Sequence, residues 1–178
     1  DHLAQSFVRT FGSDIRLTRC SNNYGPRQFP EKLIPLMIGK IARGESCPVY
    51  GDGLQIRDWI HVDDHNRGVL AVLEFGSKGQ VYNLGGDNEL SNLQVLKDLG
   101  SAIGKEPVLE FVSDRPGHDR RYAMNCAKIK AELGWKAQIA WADGLAQTVD
   151  WYAGQSEWLE SIRTGAYQEY LQANYGAR

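Results

Sequence analysis

Helical and extended hydrophobic patterns alternate along this chain, and nearly every one is closed by a glycine or a short polar turn. That alternation restricts the fold to the α/β or α+β classes. Residues 1–11 read as a helix with Leu3, Phe7 and Val8 on one side, stopped at Gly12. Ile15 to Cys20 reads as a strand, and Ser21-Asn22-Asn23-Tyr24-Gly25-Pro26 as a loop by composition. A helix from about 31 to 43 carries Ile34, Met37, Ile38 and Ile41 on one face, with Pro35 in its first turn, where a missing N–H costs least. Pro48 to Tyr50 is extended and Gly51-Asp52-Gly53 is a turn. Ile56 to Val62 is a strand, and Asp63 or Asp64 is expected to cap the helix running on to Phe75. Val81 to Leu84 is a strand ended by Gly85-Gly86. Ser91 with Gln94 gives a capping-box pattern ahead of the stripe Leu93, Leu96, Leu99 and Ile103. Val108 to Val112 is a strand, the charged run 114–121 a loop, and helices are expected at about 125–133, 143–153, 155–163 and 167–174.

With 178 residues and no repeat or linker, one compact unit is expected. The net charge of −2 lacks the basic excess of a nucleic-acid surface, so no nucleic-acid partner is expected. No apolar run reaches the length of a bilayer span, so no membrane partner is expected either. Cys20, Cys47 and Cys126 are scattered, without CxxC spacing, and read as free thiols in a reducing cytoplasm. His61 and His65 straddle a strand–helix junction without a third ligand, so no metal is expected. The five tryptophans read as core. There is no GxGxxG turn, no Tyr-x-x-x-Lys pair and no GxSxG elbow.

What remains is charge at the ends of elements, where α/β folds place ligand contacts. Lys32 opens a helix, Arg57 lies in or beside a strand, and Arg115 and His118 lie in a Pro-Gly loop. Guanidinium forks match phosphate oxygens and keep their charge, so these groups could neutralise a diphosphate. The competing reading is surface ion pairing, with Asp58, Asp114 and Asp119 as adjacent partners. Arg120 and Arg121 fit that second reading better. Asn22 and Asn23 offer amide donors and acceptors, or simply turn chemistry. From the residues alone, the chain is an anion-binding α/β unit.

Six segments in order carry a resemblance that goes further. They are Ser21–Pro26, Phe29–Pro35, Tyr50–Trp59, Tyr82–Gly86, Asp114–Tyr122 and Glu132–Trp135. Together they resemble the C-terminal half of the dTDP-glucose 4,6-dehydratases, members of the extended short-chain dehydrogenase/reductases. The resemblance implies the last Rossmann elements (residues 1–25) followed by a small mixed α/β nucleotide-sugar-binding domain (26–178). It implies that Asn22, Lys32, Leu33, Pro48, Val49, Tyr50, Arg57, Asn92, Arg115, His118 and Tyr167 contact the nucleotide sugar, and that Asn23 approaches the nicotinamide of NAD. It further implies a cytoplasmic homodimeric lyase acting on dTDP-glucose, with UDP-sugar epimerases or decarboxylases and a non-catalytic binding module as the alternatives. The family's glycine-rich NAD loop, its Asp-Glu pair and its Tyr-x-x-x-Lys pair are expected upstream of Asp1, so the chain on its own is expected to be inactive. The first helix is expected to expose an apolar face.

Overall fold

The computed structural model describes residues 1–164. The helix expected at 167–174, and Tyr167 with it, lies outside the described residues.

Helix α1 (His2–Phe11) ends where Gly12 turns left-handed (φ 64°) and donates its N–H to Val8 O at 3.0 Å. Strand β1 (Leu17–Cys20) is followed, one residue later, by β2 (Asn22–Tyr24). The loop expected at 21–26 is thus half strand. Two asparagines have little intrinsic β preference, but pairing with a neighbouring strand overrides that. The order continues with α2 (Leu33–Arg43), β3 (Ser46–Tyr50), β4 (Ile56–His61) and α3 (Val62–Phe75). Next come β5 (Val81–Leu84), β6 (Glu89–Ser91), α4 (Asn92–Ile103) and β7 (Val108–Val112). The described chain closes with β8 (Arg121–Tyr122), α5 (Ala127–Leu133), α6 (Trp141–Ala153) and α7 (Ser156–Thr164). The short strands β6 and β8 are held by their partner β4, so no local periodicity announces them.

Two helix starts differ from expectation. The cap of α3 is His61, whose Nδ1 accepts the Asp63 N–H at 3.3 Å, and neither Asp63 nor Asp64 fills that role. Asp64 is needed elsewhere, as the acceptor for the Gln138 and Ile139 N–H groups. At α4 the Ser91 hydroxyl does accept the Gln94 N–H at 3.2 Å, but the Gln94 amide turns to Asp98 at 2.7 Å. The capping box is therefore only half made.

The feature that positions the site is a fork in one strand. β1 pairs parallel with β5, from Leu17 opposite Val81 to Cys20 opposite Leu84. Buried Ser21 still donates its N–H to Leu84 O at 2.9 Å. Beyond it the partner changes: β2 pairs parallel with β4, with Asn22 opposite Trp59 and Tyr24 opposite His61. The departing chain at Gly86 passes so close to β4 that a Cβ there would lie 1.8 Å from the Trp59 carbonyl oxygen. Only glycine allows that crossing. β4 is joined on its outer half by β6, antiparallel, and by β8, parallel, while β3 and β7 form a separate parallel pair.

Two apolar clusters result. One lies where α2, α4 and α6 meet β2, β3 and β4, around Ile34, Met37, Trp59, Leu96, Leu99 and Val149. The other, around Ile60, Val72, Tyr82, Leu84, Ile129 and Trp135, lies where α3, β5 and α5 return to the layer of β1. Helix α1 has no buried residue, and Leu3 and Phe11 are 73% and 70% exposed, which is the apolar face expected of it. Among the described residues no helix is long and apolar enough to cross a membrane.

Candidate functional site: a cation-lined cleft beside the strand fork

A cleft of about 430 Å³ opens beside the fork, between Asn22 at the start of β2, Pro48, Val49 and Tyr50 of β3, and Arg57 and Trp59 of β4. Crevices at such divergence points are where α/β sheets bind ligands. Buried Met37, Val49, Trp59 and Leu96, with Leu33 and Leu36, give it an apolar wall. Asn22, Lys32, Arg57, Asn92, Arg115 and His118 supply polar groups, and Pro48, Tyr50 and Glu31 complete the lining. Every residue expected at a nucleotide sugar is brought here except Tyr167, which lies outside the described residues.

Each charge arrives by a local mechanism. Lys32 is the extended N-cap residue of α2 (φ −79°, ψ 156°), and its side chain makes no cap bond. The first-turn N–H groups of a helix have no intrahelical acceptor and carry the positive end of its dipole, which suits an anion. Lys32 is ion-paired with Glu31 at 2.9 Å, but both side chains are more than half exposed, so that pair is a weak competitor for a phosphate. Arg57 is braced by main-chain carbonyls, donating to Ile56 O at 2.7 Å and Asp119 O at 2.8 Å. Arg115 stands over the Tyr50 ring, its guanidinium carbon 5.8 Å from the centroid. Among the described residues neither arginine is in an ion pair, so both keep an uncompensated charge at the cleft.

Of the carboxylates that sequence proximity offers as their partners, those of Asp58 and Asp114 are engaged elsewhere. Asp58 is buried and accepts the Gly86 and Asn88 N–H groups at 3.2 and 2.9 Å. Asp114 lies 2.6 Å from His118 Nδ1, and that bond, with the Arg115 N–H and the Gln55 amide, holds its carboxyl below the usual range. Asp119 offers Arg57 its main-chain oxygen. Arg120 and Arg121 are the ion-paired members of the run. Arg120 binds Asp52 at 2.7 and 2.9 Å, and Arg121 binds Glu89 through two bonds of 2.6 Å. Each pair lowers the carboxyl pKa and raises that of the arginine.

Asn22 and Asn23 are separated by the strand itself, because successive strand residues face opposite ways. Asn22 lines the cleft just described. Asn23 lines a second one of about 490 Å³ with Tyr24, Gln28, Val62, Asn66 and Trp151. There the Asn23 and Gln28 side-chain oxygens are buried without a hydrogen-bond partner. Among the described residues no group of three His, Cys, Asp or Glu could hold a metal ion. Burial pushes the Cys47 and Cys126 thiols up, and Cys20 is half-buried.

Reading the sequence does not single out Glu31, Leu36, Met37, Trp59 or Leu96 for the cleft. Two signals for them exist. Trp59 is two residues from Arg57 in a strand and so shares its face, and Leu33, Leu36 and Met37 recur at helical spacing. Trp59 is core, as expected of the tryptophans, and also cleft wall.

A parallel pair feeding a small mixed α/β unit, with a cleft beside the fork between them, has the form of the C-terminal part of an extended short-chain dehydrogenase: the last Rossmann elements and the domain attached to them. A family profile described as GDP-mannose 4,6 dehydratase matches residues 1–148, and the chain belongs to that family. Within it the similarity is to dTDP-glucose 4,6-dehydratases. The Escherichia coli enzyme is 45% identical over 100% of this chain and 52% of its own length. The Streptomyces venezuelae dTDP-glucose 4,6-dehydratase, solved with NAD and dTDP bound, superposes with a TM-score of 0.87 at 45% identity, over 90% of this chain and 50% of that one. UDP-glucose 4-epimerase of Thermotoga maritima, solved with UDP-glucose, is more distant at 30% identity and a TM-score of 0.81, over 86% of this chain and 50% of that one. The chain spans about half the length of the curated relatives it matches.

Proposed function

We propose that this chain provides the nucleotide-sugar-binding half of a dTDP-glucose 4,6-dehydratase, a cytoplasmic, homodimeric hydro-lyase of deoxysugar synthesis. The observation that carries the reading is the convergence of Arg57 and Arg115, neither ion-paired among the described residues, with Lys32 and the start of α2 on one cleft. That is a diphosphate's complement. Tyr50, Pro48 and Val49 would flank the base, Leu33 and Asn92 the rest of the nucleoside, and Asn22 the sugar. His118 and Arg115 would close over phosphate and ribose. Tyr167 keeps the nucleotide role that the resemblance implies.

The second cleft fits one end of NAD, since the buried, unpartnered Asn23 oxygen offers an acceptor to a carboxamide N–H. Bound NAD would supply the hydride acceptor for oxidation at the sugar. What this chain adds is orientation: Asn22 would position the sugar from one face of β2, and Asn23 would hold the end of the cofactor from the other.

Calorimetry with dTDP tests the reading. Arg57→Ala is expected to weaken binding by about 1.5–3 kcal/mol, the scale of a hydrogen bond to a charged group. Equal affinity of the two chains would leave Arg57 a bystander. UDP is expected to bind more weakly by about 1 kcal/mol, for want of the thymine methyl. A preference for UDP would favour the epimerase class instead.

A further inference from the structure

We propose that Asp114 is a positioning residue, whose carboxylate sets where Arg115 and His118 stand at the edge of the cleft without itself touching ligand. This rests on the nucleotide reading above. The Asp114 side chain is 41% exposed, but both its carboxylate oxygens are hydrogen-bonded to protein groups. Oδ1 accepts the Arg115 N–H at 2.9 Å and lies 2.6 Å from His118 Nδ1, and Oδ2 accepts from Gln55 Nε2 at 3.0 Å. Gln55 is only 2% exposed and also donates to Tyr50 O at 3.3 Å, so it anchors the carboxylate to the turn after β3.

The turn is shaped to admit that carboxylate. Gly51 has φ +58°, and a Cβ there would lie 2.9 Å from Asp114 Oδ2. Any side chain at 51 would collide with the group that orders the loop.

The rest of the loop is fastened by other residues. The Gly51 N–H donates to Val112 O at 2.9 Å on one side, and the Ile56 N–H donates to Arg120 O at 2.9 Å on the other. Arg120 adds its pair with Asp52. The segment between those fastenings presents Arg115 and His118 to the cleft, and Asp114 is the side chain that bonds to both. With Nδ1–H given to the carboxylate, the neutral His118 ring leaves Nε2 as an acceptor for a ligand hydroxyl. The structure thus divides the labour: Arg120 and its neighbours hold the loop to the sheet, while Asp114 fixes the Arg115 main chain and the His118 ring at the edge of the cleft.

A double-mutant cycle on this chain with dTDP as the probe tests the division. Asp114→Asn keeps the shape and weakens the acceptor, and His118→Ala removes the aimed group. Each is expected to weaken dTDP binding about tenfold, and the double variant by about tenfold also, not a hundredfold, because the two act as one unit. The melting temperature of Asp114→Asn should stay within about 3 °C of the unaltered chain. Gln55→Met frees the other carboxylate oxygen from outside the loop and should weaken binding about threefold. Losses that multiply across the cycle, or Asp114→Asn binding as well as the unaltered chain, would overturn the positioning role and leave the nucleotide reading in place. So would loss of folding by Asp114→Asn with normal binding by Gln55→Met. Failure of the unaltered chain to bind dTDP would overturn both.

Discussion

The Asp64 carboxylate has no exposed surface and accepts the N–H groups of Gln138 and Ile139 at 3.0 and 2.8 Å, with Arg67 as a third partner. It pins the segment between α5 and α6 onto α3. Asp64→Ala would leave those two donors buried without acceptors, at about 1–3 kcal/mol each. Urea denaturation is expected to show a loss of about 3 kcal/mol, and a loss under 1 would mean that the segment relaxes to find water. The sequence marks Asp64 only as a candidate cap of α3, because the backbone N–H groups it serves lie more than seventy residues away. Arg57 and Arg115 were more legible. Their positions at element ends suggested ligand contact, and what sequence could not decide, ligand or ion pair, turned on where three neighbouring aspartates spend their oxygens. Asp58 faces two backbone N–H groups of the β5–β6 turn, a choice invisible without the strand crossing.

Among elements, the helices with one apolar face were readable nearly to their ends, since a periodic stripe and a following glycine are both local. α2 ends at Gly44 and α5 at Gly134, each left-handed. The strands β2, β6 and β8 were not readable, because all three exist through pairing with β4. The crossing of β4 by the chain leaving β5 gives the sharpest expectation at this scale. Gly86→Ala puts a methyl 1.8 Å from the Trp59 carbonyl oxygen, so backbone must move. A loss above about 4 kcal/mol is expected, in the exceptional range for one substitution. Gly104→Ala makes the control: nothing lies within 4 Å of its Cβ, and its left-handed φ of +74° is the one source of strain. Equal losses at the two positions would show that crowding at the crossing matters little.

For the molecule as a whole, pH separates two sets of groups. His61 and His65 have pKa values lowered by burial from the ordinary 6.5. As pH falls through 6.5 the unfolded chain takes up protons that the folded chain resists, so stability is full above that value and declines below it. The carboxyls of Asp52, Glu89 and Asp114 are held below their ordinary values of 3.8, 4.5 and 3.8, so their pairs persist through this range and are lost only in stronger acid. A falling melting temperature between pH 7 and 5.5 is therefore expected, and His61→Gln should flatten it. An unchanged slope would place the proton uptake elsewhere. The alternation of helix and strand disclosed the class of this molecule, but the sheet arrangement joins residues sixty or more apart, as in β1 with β5, and no local pattern encodes that.

The fork at Ser21 makes β2 a partition one residue thick. Asn22 faces one cleft and Asn23 the other, so the two are distinguished by register alone. A slip of one residue against β4 would exchange them, turning every side chain of the strand to the opposite face. A single inserted or deleted residue between β1 and β2 would therefore scramble both chambers at once, although it touched neither lining directly. The buried Ser21, whose N–H still reaches Leu84 after the partner strand has begun to leave, is the peg that fixes this count.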